Sequence, residues 1–380
     1  MNTAKHEIAD VIRIFGKEYI EKHKPNNYTI KVLNALFNCR TPALGGHLYK
    51  CDHCGKEHGG YNSCRNRNCP KCQSMKQTFW VEDRMNQALP VKHYHIVFTV
   101  PGELNQICLL DSKKFYSNLF KIVWETLQTF GYSHFGAECG AICVLHSWGQ
   151  NLSLHPHIHC IVPAAGLSLK GNLKPIGKKG KYLFPVRMLS TVFRAKLLQR
   201  IKKQLSFQKQ WSDYKHIIEP LWKKPWVVYC EPSLGSPQHI VKYLGQYTHR
   251  VAISNKRILK IEDGKVTFSL KDYKDNGKRK TLTINGVEFL RRFCMHILPS
   301  RFVKIRYYGI YSNGYKKILN KGVNKLIIKI KETNPERFLR LTGIDVYLCP
   351  FCKKGKMVEI SLLPRIRAPG MFIKVQTIIN

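Results

Sequence analysis

The sequence predicts an α+β protein: a mainly antiparallel sheet flanked by helices, preceded by a small metal-organised module. Three observations carry this reading. Runs of β-rich apolar residues occur in mid-chain, at 93–100, 141–148 and 155–162. Apolar residues at helical spacing lie around them. Residues 47–73 are rich in Cys, Gly, Asn and Arg and lack apolar periodicity, so a metal rather than a hydrophobic core must organise them.

Taken in order, Ile8, Val11, Ile12 and Phe15 recur at helical spacing, and 28–37 is a second such run. A helix is expected from Gln73 to about Ala88. His93-Tyr94-His95-Ile96-Val97-Phe98-Thr99-Val100 reads as a strand, halted by Pro101-Gly102. Residues 103–130 read as helix. Two β runs, Ala141 to Trp148 and His155 to Val162, flank the polar segment 149–154. A long basic helix is expected over 187–206 and a short strand over Trp226 to Cys230. Pro237 to about Tyr247 reads as helix, with Ser236 at the N-cap and Pro237 at the first position. Residues 256–285 resemble a basic hairpin, 287–297 a helix and 302–308 a strand. The expected units are an N-terminal helical and zinc-binding domain (1–90), a core with the tyrosine helix (91–255), a basic α+β extension (256–345), and a C-terminal Cys-x-x-Cys with a basic tail (346–380).

Charge points to the partner. Lys and Arg number 63 against 24 acidic residues, a net charge of +39. The bases are spread along the chain, which suits an extended cationic surface on a folded protein and a polyanionic partner, nucleic acid foremost. No run of about 18 apolar residues is present, so no membrane span is expected. The N-terminus lacks an apolar signal core. A cytoplasmic, nucleoid-associated bacterial location is expected, where fourteen cysteines read as metal ligands rather than disulfides.

Cys51-Asp52-His53-Cys54 and Cys69-Pro70-Lys71-Cys72 are two knuckles that suit tetrahedral zinc. The expected ligands are Cys51, Cys54, Cys69 and Cys72, with Cys64 and His58 between them as alternatives. Arg65 and Arg67 beside the metal are candidate DNA contacts. Cys349-Pro350-Phe351-Cys352 repeats the knuckle with no second pair after it, so no functional metal is expected there.

The segment Leu154-His155-Pro156-His157-Ile158-His159-Cys160 carries chemistry. On a strand, His155, His157 and His159 share one face while Ile158 and Cys160 point to the core. Burying imidazoles without partners is costly, and neighbouring same-face imidazoles can share a divalent cation. In the preceding strand His146, Trp148 and Gln150 alternate, and the Gln150 side-chain oxygen is a candidate ligand to the same ion. Such a set suits Mg²⁺ or Mn²⁺ moderately, with a phosphate oxygen completing the shell.

Tyr243 and Tyr247 stand at i and i+4, on one face of a helix. Tyrosine is a poor nucleophile while protonated, and its reference pKa is about 10. Lys242, His249 and Arg250 beside it favour the phenolate, and Lys242 and Arg250 are also candidate DNA contacts.

His157-Ile158-His159 with Tyr243 and Tyr247 downstream resembles the HUH superfamily, and within it the two-tyrosine rolling-circle transposases of the insertion-sequence-91 family. The similarity runs through YNSCRNRNCPKCQ (61–73), HYHIVFTVP (93–101), LHSWGQNLSLHPHIHCIVPAAGLS (145–168), YLGQYTHRVAISN (243–255) and FLRRFCMHILPSRFVKIRYYGI (289–310). It implies an HUH-type sheet core and a divalent metal, Mg²⁺ or Mn²⁺, held by His157 and His159 on a phosphate of single-stranded DNA. It also implies attack by Tyr243 or Tyr247 to leave a 5′-phosphotyrosine. Gln150, seven residues before His157, matches the place of an acidic ligand in related replication initiators; His155 competes with it. No Walker-type motif occurs, so unwinding is expected from a host helicase or replication protein. A plasmid replication initiator of the same chemistry and a non-enzymatic zinc-dependent DNA-binding protein are the alternative functions.

Overall fold

The structure, a computed structural model, describes residues 5–87, 89–177, 183–232, 251–272, 275–315 and 331–366. The N-terminal segment folds as its periodicity requires. In the helix Ile8–His23, residues Ile8, Val11, Ile12, Phe15 and Tyr19 are buried on one side. The helix Asn27–Phe37 starts at Asn26, whose side chain accepts from the Thr29 N–H at 2.9 Å. Strands β1 (Gly46–Cys51) and β2 (Glu57–Tyr61) then pair antiparallel, and the helix Ser74–Gln87 follows.

Three further sheets are described. Their strands are β3 (His93–Thr99), β4 (Ala137–Glu138), β5 (Gly140–Trp148), β6 (Leu154–Pro163), β7 (Ala165–Ser168), β8 (Leu173–Pro175), β9 (Val228–Pro232), β10 (Ile258–Glu262), β11 (Lys265–Asp272), β12 (Lys278–Asn285) and β13 (Ile305–Gly309). The central sheet has the order β13-β5-β6-β3-β9 with every neighbour antiparallel. The alternation read in the sequence decides its faces. Tyr94, Ile96, Phe98, Ala141, Cys143, Leu145, Ile158, Cys160 and Val162 pack on one side against the helices Ser112–Phe135 and Val186–Phe207. The opposite face carries Ile142 and Ile161, covered by Trp80, Val81 and Met85 of the helix Ser74–Gln87, and it carries the histidines.

The helix expected over 103–130 is two helices, Asn105–Leu110 and Ser112–Phe135. Asp111 divides them because its side chain caps the second, accepting from the Lys114 N–H at 2.9 Å. The hairpin expected over 256–285 is a three-stranded sheet, β10-β11-β12. This sheet and the helix Gly286–Cys294 share one core with the N-terminal helices, built from Ile12, Phe15, Leu33, Phe268, Phe289 and Phe293 among others. Segments far apart in sequence thus form one unit. Gly286 permits the contact: a Cβ there would stand 2.3–2.4 Å from the Phe15 ring.

The chain end returns to its beginning. In the helix Asn334–Thr342, Arg337 pairs with Glu82 and Asp83, each at 2.6 Å, and Arg340 with Glu82 at 2.7 Å. Strand β14 (Met357–Leu363) then pairs antiparallel with β1, giving the order β14-β1-β2. Among the described residues no helix is long and apolar enough to cross a membrane.

Candidate functional site

Strand register assembles the histidines. On β6, His157 and His159 alternate with the buried Ile158 and Cys160. Across the β5–β6 ladder His146 is the register partner of His157. Ligand nitrogens of His146, His157 and His159 lie within 4.8 Å of one another. Ring centroids are 5.3 Å apart for His146 and His157, 4.6 Å for His146 and His159, and 4.9 Å for His157 and His159.

The third histidine of this group is His146, which the sequence reading placed beside Trp148 and Gln150 without naming it a ligand. A register irregularity between His146 and Trp148 carries Gln150 into the turn beyond the strand, where its backbone carbonyl accepts from Arg257. His155 is exposed. Its ring stands 5.2 Å from that of His157, and it lies outside the three-residue group.

Hydrogen bonds set the tautomers. The His157 Nδ1–H donates to the His155 carbonyl at 2.7 Å, because a carbonyl only accepts; the lone pair then sits on Nε2. His159 Nδ1 is 2.9 Å from His95 Nε2, and the two rings stack at 5.1 Å and 3°. Burial lowers His157 to about 4 and His159 well below its ordinary value, helped by repulsion from neighbouring imidazoles. Neutral imidazoles are the form that ligates a metal, so the donor set fits a divalent ion. Three imidazole donors by themselves suit Zn²⁺; Mg²⁺ or Mn²⁺ would take oxygen donors, such as phosphate, in the rest of the shell.

Beside this group Trp148 stacks on His146 at 4.9 Å. The Lys304 ammonium stands 4.9 Å from the Trp148 ring centroid. Desolvation, with Arg67 nearby, lowers Lys304 to about 7. A cavity of about 330 Å³ opens here, lined by Arg67, Lys76, Trp148, Val251, His296 and Lys304 among others. Sequence reading missed His95 and Lys304. Their signal was the alternation of His93 and His95 and a lone lysine in the strand-like run Phe302 to Tyr308.

Tyr243, Tyr247, Lys242 and Arg250 lie outside the described residues. The described chain stops at Pro232 on β9, next to Glu231, the register partner of His95, and resumes at Val251 in the cavity lining.

The cysteines gather differently from the expected single site. Cys39, Cys64, Cys69 and Cys72 form one cluster; Cys51, Cys54, Cys349 and Cys352 form another. The two N-terminal knuckles thus belong to separate clusters. The C-terminal knuckle, with no second pair after it in the sequence, meets Cys51 and Cys54. Cys64 is a member of the first cluster, and His58 belongs to neither. In the first cluster Sγ–Sγ distances are 3.5 Å for Cys39 and Cys72, 3.6 Å for Cys39 and Cys69, and 3.7 Å for Cys64 and Cys72. Four thiolates each about 2.3 Å from a central zinc stand about 3.8 Å apart, whereas a disulfide requires about 2.05 Å.

Arg65 is exposed, as a DNA contact would be. Arg67 is engaged within the fold. Its guanidinium donates to the carbonyls of Phe302, Leu298 (3.0 Å) and Pro299 (2.7 Å). It ties the cysteine module to the segment leading into β13.

The fold and site define a strongly basic α+β protein with three converging imidazoles on an antiparallel sheet and a cysteine-built module. Residues 140–318 match a family model described as putative transposase, and residues 11–100 match the transposase zinc-binding domain. The chain is 38% identical to putative transposase y4qJ of Sinorhizobium fredii over 96% of its length and 97% of that protein. It is 23% identical to the transposase for insertion sequence element IS801 of Pseudomonas savastanoi pv. phaseolicola, over 92% of its length and 87% of that protein. No solved structure matches the chain. The protein belongs to the insertion-sequence-91 family of transposases. The cysteine clusters and the zinc-binding domain match support structural zinc.

Proposed function

We propose that this transposase nicks and transfers single-stranded DNA at the ends of its element, through a 5′-phosphotyrosine link in rolling-circle transposition. The observation that carries the reading is the convergence of His146, His157 and His159 on one face of the sheet. These residues would hold the catalytic divalent ion, Mn²⁺ or Mg²⁺. When bound, such an ion supplies charge neutralisation at the phosphate. Tyr243 or Tyr247 attacks phosphorus in line. The phenol oxygen takes the 5′-phosphate, and the 3′-oxygen leaves as a hydroxyl. The bond energy is kept in the link, so rejoining to a second 3′-hydroxyl needs no nucleotide.

Both flanks of the tyrosine segment approach the histidines, which supports this pairing of nucleophile and metal. Lys304 and the exposed Arg65 are suited to the strand's phosphates. Unwinding falls to a host helicase. A plasmid replication initiator would share the chemistry, but family membership favours transposition. A non-enzymatic zinc-dependent DNA-binding protein has no use for the histidine group.

The test is a nicking assay on labelled single-stranded and duplex forms of the element ends with Mn²⁺. Single-strand cleavage that is lost in His157→Ala and in the Tyr243→Phe/Tyr247→Phe double variant is expected. Undiminished cleavage by the double variant removes the tyrosines from the reaction.

A further inference from the structure

The zinc-binding domain match ends at residue 100, yet one of the two cysteine clusters is completed more than two hundred residues later. We propose that Cys51, Cys54, Cys349 and Cys352 bind a zinc ion of their own, which clasps the C-terminal segment onto the N-terminal module. Sγ–Sγ distances are 3.7 Å for Cys51 and Cys352 and 3.8 Å for Cys54 and Cys349. These are the spacings of thiolates around one tetrahedral ion and far too long for disulfides.

Each half presents the backbone of a metal knuckle. The Cys54 N–H donates to Cys51 Sγ at 3.4 Å, and the Gly355 N–H donates to Cys352 Sγ at 3.4 Å. Such bonds favour sulfur as thiolate. The two halves are fitted to each other. The Lys356 N–H donates to Asp52 Oδ1 at 2.7 Å, and the Asp52 N–H to the Lys356 carbonyl at 3.1 Å. At Gly355 a Cβ would meet Asp52 Oδ1 at 2.4 Å, the His53 Cβ at 2.5 Å and Cys51 Sγ at 2.7 Å, so only glycine lets the knuckles close.

The surroundings explain why an ion is needed. Cys51 and Cys349 are buried, but neither belongs to any of the apolar clusters among the described residues. Strand β14 is exposed along most of its length. With so little apolar burial, pairing of β14 to β1 needs another source of stability, and metal binding supplies it. The first cluster, by contrast, sits against the core shared by the N-terminal helices. The two sites are therefore independent, one closing the module internally and the other closing the chain.

The test uses the full-length protein loaded with Co²⁺ under reducing conditions, with thiolate-to-cobalt charge transfer as the readout and total zinc content in parallel. Cys349→Ser/Cys352→Ser is expected to remove half of the charge-transfer intensity and one zinc per chain. Cys51→Ser/Cys54→Ser should remove the same half, and combining the two pairs should remove no more. Cys64→Ser/Cys69→Ser should remove the other half. A milder variant, Cys352→His, should keep the zinc content and weaken the band by the share of one thiolate among eight. Full intensity in both Cys349→Ser/Cys352→Ser and Cys352→His overturns the proposal.

Discussion

His146 on β5 and His157 on β6 are register partners, and their rings meet edge to face with centroids 5.3 Å apart. The antiparallel ladder thus brings a third imidazole to the His-x-His pair without help from a loop. Such a site is held by backbone hydrogen bonding and is rigid before any ion arrives.

This makes His146 a sharper test than the histidines of the motif. His146→Ala should weaken Mn²⁺ binding, measured by titration calorimetry, as severely as His157→Ala. Gln150→Ala should change it little. His95→Gln, which alters a hydrogen-bonding partner of His159, should cost roughly 10–100-fold, the usual range for an outer-shell change. A large loss in Gln150→Ala beside a small one in His146→Ala would reverse the assignment of the third ligand.

Acid stability should depend in part on two buried histidines outside the three-histidine group. His93 donates from Nδ1 to the Val91 carbonyl at 2.9 Å, and its Nε2 lies 2.6 Å from the Tyr311 hydroxyl. His296 is 3.1 Å from the Leu152 carbonyl and 3.2 Å from Ser147 Oγ. Burial lowers each from 6.5 to about 4. Below pH 6.5 the unfolded chain binds more protons than the folded one, so stability falls as pH drops from 6.5 towards 4. Each contributes on the order of 3 kcal/mol across that window. Denaturant titrations should show a shallower decline in His93→Gln/His296→Gln than in the parent. An unchanged slope would mean that these imidazoles take up protons in the fold as readily as in the unfolded chain.

Gly286→Ala tests the junction between the first helix and the helix Gly286–Cys294. The added methyl meets the Phe15 ring at 2.3–2.4 Å, and one of the two helices must shift. A loss of about 1–3 kcal/mol is expected, as for other overpacked positions, and Phe15→Leu should recover part of it. A neutral Gly286→Ala would show that the two helices pack less closely than this.

The sheet was legible because period-two patterns report which side of a strand is buried: the runs at 93–100, 141–148 and 155–162 became β3, β5 and β6 with little change. The shared face of His157 and His159 was legible for the same reason. The arrival of His146 beside them was not, since it depends on which residue of β5 stands opposite His157, and cross-strand register leaves no trace in composition. Cysteine partners were illegible for a different reason. A knuckle shows that two thiolates face one ion but says nothing of where the other two come from, and for Cys51 and Cys54 they come from the far end of the chain. The carbonyl contacts of Arg67 were illegible because a basic residue beside a metal module looks the same in sequence whichever oxygens it meets. The shared core of the N-terminal helices with β10-β11-β12 depends on long-range packing that no local pattern reports.

The identity of the atom that attacks phosphorus decides the mechanism. The protein should be incubated with a single-stranded oligonucleotide carrying an element end and Mn²⁺, digested, and its nucleotide-bearing peptide sequenced by mass spectrometry. The expected result is one adduct class, a phosphodiester on Tyr243 or Tyr247, formed by the parent protein and missing from His146→Ala and His157→Ala. Cleaved DNA with no covalent adduct, or an adduct on a residue outside that pair, would contradict the tyrosine mechanism.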